Sequence, residues 1–242
     1  MSEDEIKIHR GLNNVYFDRT KTTYINGKDG LLEYRGYNIH DLAEKSSFEE
    51  VSYLLLYGKL PTITELEAFN SSLKNSRHIP GEVIDIIKSL KNSHPMDVLR
   101  TSVSALSSFD EEAADKSYDA TMRKGIRLTS QVPTIVMAHN SIRNGKDPVE
   151  PSKELSHAAN FIYMLNGETP TESTSTLMDK DFIVHADHGS NASAFAARVC
   201  AGTQADLHSA ITTGISVLSG PSHGGAAENV MKMVKEVGSP EN

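Results

Sequence analysis

Leu218-Ser219-Gly220-Pro221-Ser222-His223-Gly224-Gly225-Ala226 sets one histidine between Gly-Pro and Gly-Gly, with a helical pattern entering and another leaving. Gly and Pro punctuate a chain, so the stretch reads as a tight link that holds His223 between two helices. The start of the second helix, near Ala226, offers unpaired backbone N–H groups and the positive end of a helix dipole. Such surroundings suit an uncharged imidazole that donates a hydrogen bond. The same residues would also be present if they only ended one helix and began the next, with the histidine incidental.

The flanks of this link are helical. From about Asp206, the residues Leu207, Ala210, Ile211, Ile215 and Leu218 fall on one face, and Gly214 with its alanine and serine neighbours predicts close helix–helix contact. Ala226 to Val237 forms the last helix. Before Asp206, a helix runs through Phe195 and Val199 to near Gly202. It is entered by Ile183-Val184-His185-Ala186-Asp187-His188-Gly189-Ser190-Asn191-Ala192-Ser193. There, three titratable residues fall within four positions, beside small residues that permit close approach.

The rest of the chain is also mostly helical. Ser47–Glu50 and Thr62–Glu65 are capping boxes. Pro80 opens a helix marked by Val83, Ile84, Ile87 and Leu90, and His94-Pro95 opens one marked by Met96, Leu99, Val103 and Leu106. Residues 108–118 read as a connection. A long pattern over 119–143 contains Pro133, which predicts a kink or a break. Helices are further expected over Ser152–Leu165 and, short, over Thr171–Met178. The one β element is a hairpin from Thr22–Gly27 into Gly30–Gly36, signalled by Asn26-Gly27. Residues 1–20 read as a mobile lead-in and 21–242 as one helical domain.

With 242 residues, 38% apolar and 23% charged, the chain has room for a large core. A net charge of -8 leaves no footprint for nucleic acid or an anionic membrane. Cys200 is the single cysteine, which excludes an intrachain disulfide framework and a thiolate metal cluster. No apolar run is long enough to span a bilayer and the acidic N-terminus has no signal core, so the expectation is a cytoplasmic protein.

The histidines admit several readings. His185, Asp187, His188 and His223 include metal-ligand types, but the spacing lacks the Glu of a helical His-Glu-x-x-His site, and no metal is expected. Cys200 lies mid-helix and no serine sits in a nucleophile elbow, which weakens a nucleophilic triad. A polar helix entrance with no chemistry, or a pocket where imidazoles donate to carbonyl and carboxylate oxygens, both remain.

The chain resembles the citrate synthase family almost end to end. The resemblance is carried by GKDGLLEYRGYNI (27–39), FEEVSYLLLYGKLP (48–61), HPMDVLRTSVSAL (94–106), Leu155 to Pro170 and above all VHADHGSNAS (184–193) and GPSHGGAAE (220–228). It implies a mostly α large domain that dimerises through helices near 96–107, 128–142, 206–218 and 226–237. The implied reaction is an acyl transfer: acetyl-CoA, oxaloacetate and water give citrate and CoA, with acetyl-CoA a co-substrate and no resident cofactor.

By the same resemblance, His223 hydrogen-bonds the thioester oxygen and His188 binds oxaloacetate. Ser193 orients the His223 ring, Asn191 and Gly224 support it, and His185 is structural. Gly189 stands where the family usually has Glu. In the family a smaller domain follows, bearing a second catalytic histidine, an aspartate base, carboxylate-binding arginines and most of the CoA site. The expectation is therefore a chain truncated before that domain and close to inactive alone. A 2-methylcitrate synthase using propionyl-CoA, or a non-catalytic or split-subunit helical dimer module, are the alternatives.

Overall fold

The structure is a computed structural model that describes residues 18–239. Most of the expected lead-in, residues 1–17, lies outside the described residues. The chain first forms an antiparallel sheet of β1 (Thr23–Asn26), β2 (Leu31–Tyr34) and β3 (Tyr37–Asn38). Thr23 pairs with Tyr34 across β1 and β2, and Tyr34 with Tyr37 across β2 and β3. The predicted hairpin thus gains a third strand. Arg35 at φ 52° and Gly36 at φ 88° make the two-residue turn whose twist suits paired strands.

Helices α1 (Ile39–Lys45), α2 (Phe48–Tyr57), α3 (Ile63–Asn75), α4 (Gly81–Ser89) and α5 (Pro95–Leu106) follow. Both capping boxes form: Ser47 and Thr62 each accept from the amide of the glutamate three residues on, and each glutamate carboxylate accepts in return. Then come α6 (Tyr118–Arg143), α7 (His157–Asn166), α8 (Glu172–His185), α9 (Ala192–Gly202), α10 (Leu207–Leu218) and α11 (Gly225–Val237).

Three sequence expectations are decided by contacts seen in the structure. Of the kink or break expected at Pro133, the break does not occur: helix α6 continues through it, with buried Ser130, Thr134 and Ile135 on either side. Thr134 Oγ1 also donates to the Arg77 carbonyl at 2.8 Å. Helix α7 starts at His157 and not near Ser152, because the Ser152 amide donates to Asn160 Oδ1 and Ser152 Oγ takes the Glu154 and Leu155 amides. Those bonds hold the segment as a turn. Helix α8 continues past Met178 to His185, where fully buried Ile183 seats its last turn against Tyr34, Leu42 and Val51.

The main core lies between α4, α5, α6 and α10, around Val83, Ile87, Val98, Val103 and Ile135. A second cluster joins β2, α1, α2 and the end of α8. Helix α10 packs on α9 at Gly214, where an added Cβ would sit 3.5 Å from the Ser193 carbonyl oxygen and 3.6 Å from Ala197 Cβ. This is the close contact predicted from the small residues. It fixes the first turn of α9 against the helix that leads to His223. Helix α11 projects instead: Val230, Met231, Met233 and Val234 are each more than half exposed. His94 Nε2 meets Glu228 Oε2 near the start of α11 at 3.0 Å.

Candidate active site

The α8–α9 loop carries one of the two motifs. His185 closes α8, with its Nδ1 2.8 Å from the Asp181 carbonyl, which occupies a helix-end acceptor. Asp187 is half-buried, and its carboxylate folds back over its own loop. Its Oδ1 accepts from the Gly189 amide at 3.2 Å. Its Oδ2 accepts from Thr23 Oγ1 on β1. Burial pushes the Asp187 carboxyl above the usual aspartate range, against the backbone donor, which favours the anion.

The Asp187 amide donates to the Tyr34 hydroxyl at 3.2 Å. That hydroxyl lies 3.1 Å from the Ile183 carbonyl and 3.3 Å from that of Val184. Gly189 takes φ +69°, and a Cβ there would stand 3.4 Å from Ile25 Cδ1. A side-chain-bearing residue would be strained at this φ. His188, between Asp187 and Gly189, has an exposed side chain.

Asn191 begins α9. Its Oδ1 accepts the Ala194 amide at 2.9 Å as an N-cap and also the Ser193 hydroxyl at 2.7 Å. Ser193 Oγ in turn lies 2.9 Å from Nε2 of His223. The second motif therefore meets the first at the opening turn of α9: Asn191, Ser193 and His223 form one polar chain. The Ser193 hydroxyl has a single hydrogen to give. Given to Asn191, it requires Nε2 of His223 to donate to Ser193. Given to Nε2, it leaves Nδ1 as the ring's donor. Asn191 Oδ1 keeps the Ala194 amide in either case, so the hydroxyl can turn without orphaning an acceptor.

The link itself is a tight turn. The His223 and Gly225 amides both donate to the Gly220 carbonyl, at 2.9 and 3.1 Å. A Cβ on Gly224 would lie 2.6 Å from the Leu218 carbonyl oxygen, and one on Gly225 2.9 Å from that of Gly220. Both glycines are thus required by close approach. One expectation is corrected here. The N–H groups opening α11 are not free, because Ala226 and Ala227 donate to the carbonyls of His223 and Gly224 at 3.0 and 3.1 Å. The turn is already helical at Gly224 (φ −62°, ψ −31°), so it supplies acceptors for the donors that follow. What positions His223 is Ser193.

Cys200 lies within α9, as the sequence suggested. Among the described residues, no group of three or more His, Cys, Asp or Glu could hold a metal ion, and no helix is long and apolar enough to cross a membrane. The sequence reading did not pick out Thr23, Tyr34 or Asp187 as site residues. Asp187 stood within the motif, whereas Thr23 and Tyr34 gave no local sign beyond strand-forming composition.

With this geometry in place, the similarities to known proteins are specific. The family description "Citrate synthase, C-terminal domain" matches residues 11–242. A Bacillus subtilis protein, citrate synthase 2, is 46% identical and covers 96% of this chain, which spans 63% of that relative. The crystal structure of citrate synthase from Pyrobaculum aerophilum superimposes with a TM-score of 0.90 at 38% identity, covering 96% of this chain and 60% of that one. A ternary complex of carboxymethyl coenzyme A and oxaloacetate with citrate synthase from Thermoplasma acidophilum matches with a TM-score of 0.88 at 30% identity. It covers 97% of this chain and 62% of its own. The chain therefore spans about three fifths of the length of these relatives.

Proposed function

Because the chain belongs to the citrate synthase family, we propose that it carries the donor-histidine half of a citrate-forming active site. The substrates are acetyl-CoA and oxaloacetate, in the cytoplasm, with no resident cofactor. The observation that supports this reading is the chain Asn191–Ser193–His223 at the start of α9, four residues after His188 leaves the same loop.

In this reading the Ser193 hydroxyl turns its hydrogen to Nε2 of His223, so Nδ1–H is the donor toward the thioester oxygen of acetyl-CoA. As the methyl group loses a proton, negative charge moves onto that oxygen and the Nδ1–H bond strengthens. The donor thus stabilises the enolate-like state more than the bound thioester, and this difference accelerates the step. One aimed donor of this kind is worth about 3–4 kcal/mol. His188, exposed on the α8–α9 loop, donates to a carboxylate oxygen of oxaloacetate. The group that removes the methyl proton is assigned to no residue of this chain.

Assembly as a homodimer through α5, the second half of α6, α10 and α11 is part of the same reading. It is supported by the unburied apolar residues of α11, since contiguous exposed apolar surface marks interaction sites. A sedimentation mass equal to one chain at micromolar concentration would remove this part.

The test of the chemistry follows CoA thiol release in the protein that carries this sequence. His223→Ala is expected to lower kcat by roughly 10²-fold or more with oxaloacetate affinity nearly unchanged, while His188→Ala weakens oxaloacetate binding. Unchanged turnover in His223→Ala overturns the assignment. A higher kcat/KM with propionyl-CoA than with acetyl-CoA would replace citrate by 2-methylcitrate as the product.

A further inference from the structure

The N-terminal sheet does more than cover one end of the helical body. Thr23 and Tyr34 stand directly opposite one another on β1 and β2, and both reach Asp187, the residue before His188. Thr23 Oγ1 donates to the Asp187 carboxylate, and the Tyr34 hydroxyl accepts the Asp187 amide at 3.2 Å. The same carboxylate accepts the backbone amide of Gly189, the residue just past His188, at 3.2 Å. Asp187 is thus held from the sheet on one side and, through the Gly189 amide, holds the main chain that brackets His188 on the other.

Two features make this tie stiff. Tyr34 is fully buried and Thr23 is 8% exposed, so water is a poor substitute for either hydroxyl. A buried polar group left without its partner is costly, which holds the hydroxyls and Asp187 together. Tyr34 also faces the Ile183 and Val184 carbonyls at the end of α8, so one hydroxyl fastens both the helix end and the loop that follows.

We propose that Thr23 and Tyr34 are positioning residues for His188, aiming its imidazole through Asp187, so that the N-terminal sheet sets oxaloacetate affinity. This rests on the reading that His188 grips oxaloacetate. Neither hydroxyl touches the substrate in this arrangement. Both act on the direction in which the His188 side chain leaves the loop. A hydrogen bond held by an exposed side chain on a short loop depends on that direction, since such bonds weaken steeply as the donor angle departs from linearity.

The test measures oxaloacetate binding by calorimetry, and the KM for each substrate, in the protein that carries this sequence. Thr23→Val removes the hydroxyl at nearly constant volume and Thr23→Ser restores it. The expected result is about a tenfold rise in the oxaloacetate Kd and KM for Thr23→Val, which corresponds to about 1.4 kcal/mol. The expected kcat at saturating oxaloacetate stays within about twofold of the parent, in keeping with loss of a binding contact and not of chemistry. Tyr34→Phe shifts the same parameter, Thr23→Ser returns it close to the parent, and the acyl-CoA KM does not move.

A merely structural role predicts something different: a lower melting temperature for Thr23→Val with an unchanged oxaloacetate Kd, and that result overturns the proposal. His188→Ala separates the two levels. If it weakens oxaloacetate binding while Thr23→Val does not, the positioning role fails and the substrate role of His188 stands. If His188→Ala leaves binding unchanged, both fall together. Should Tyr34→Phe fold poorly, Thr23→Val and its serine rescue decide the matter alone.

Discussion

Replacing Gly224 by alanine tests how His223 is held. At φ −62° and ψ −31° the backbone accepts alanine. In open surroundings the change would stabilise by about 0.4–1 kcal/mol, through the lower entropy of the unfolded chain. The surroundings are not open. The new Cβ would lie 2.6 Å from both the carbonyl oxygen and Cδ1 of Leu218, where ordinary contact begins near 3.4 Å. The leucine side chain is partly exposed and can swing away, but the carbonyl belongs to the last turn of α10. About 0.8 Å must therefore come from the link (3.4 − 2.6).

The His223–Ser193 bond, at 2.9 Å, has about 0.6 Å to spare before it ceases to be one at 3.5 Å. Overpacking of this kind costs about 1–3 kcal/mol. Set against the gain from alanine, the net loss centres on about 1 kcal/mol. Urea unfolding gives that number directly, and nitrogen NMR of the histidine rings reports whether Nε2 still faces a hydroxyl. Gly27→Ala is the control, since a Cβ there meets nothing within 4 Å. If Gly224→Ala matches the parent in stability and in the His223 ring signals, the close-approach account of the link is wrong. In the catalytic reading, an ångström of misplacement also costs roughly 10²-fold in turnover.

Two further results are expected. At Gly214, alanine fits, because its Cβ makes only ordinary contacts with α9, whereas valine drives a methyl toward the Ser193 carbonyl. Gly214→Val should lose about 1–3 kcal/mol relative to Gly214→Ala, and equal melting temperatures would refute the packing argument. Burial pushes the Asp179 carboxyl up to about 6, although the Phe48 amide favours its anion and Glu49 and Glu50 oppose it. The folded chain therefore holds this proton more tightly than the unfolded chain does, so stability falls as pH rises from about 4 to about 6. The group is half-buried, and after allowance for solvent screening the loss is about 1 kcal/mol. Asp179→Asn should remove that part of the pH profile; parallel stability curves for the two proteins would contradict it.

The elements that could be read from sequence were those fixed by near neighbours. Ser47 with Glu50 and Thr62 with Glu65 satisfy amides within one turn, so three residues of spacing suffice to place two helix starts. The small-residue face of α10 was likewise legible, because Gly214 serves a contact that depends on size alone. The misplaced boundaries were decided elsewhere. The overrun of α8 to His185 rests on Ile183 entering a cluster with Tyr34, Leu42 and Val51, all more than a hundred residues earlier. The open N–H groups anticipated before α11 are absent because the turn supplies its own acceptors.

The same distinction separates the residues proposed to meet a ligand from those proposed to aim them. His188, Asn191, Ser193 and His223 fall in two short motifs whose residue types stand out from their own neighbours. Thr23 and Asp187 are 164 positions apart, and nothing in either neighbourhood requires the other. What joins them is the obligation of a buried polar group to find a partner. Tyr34 illustrates the reach of that obligation: its ring lies in the core, and its hydroxyl must be satisfied there. A strand tyrosine facing inward thus announces that a polar partner exists, without saying where. The partner turned out to be the main chain on either side of the α8 terminus. A sheet of ten strand residues is therefore attached to a loop whose direction the proposed chemistry depends on.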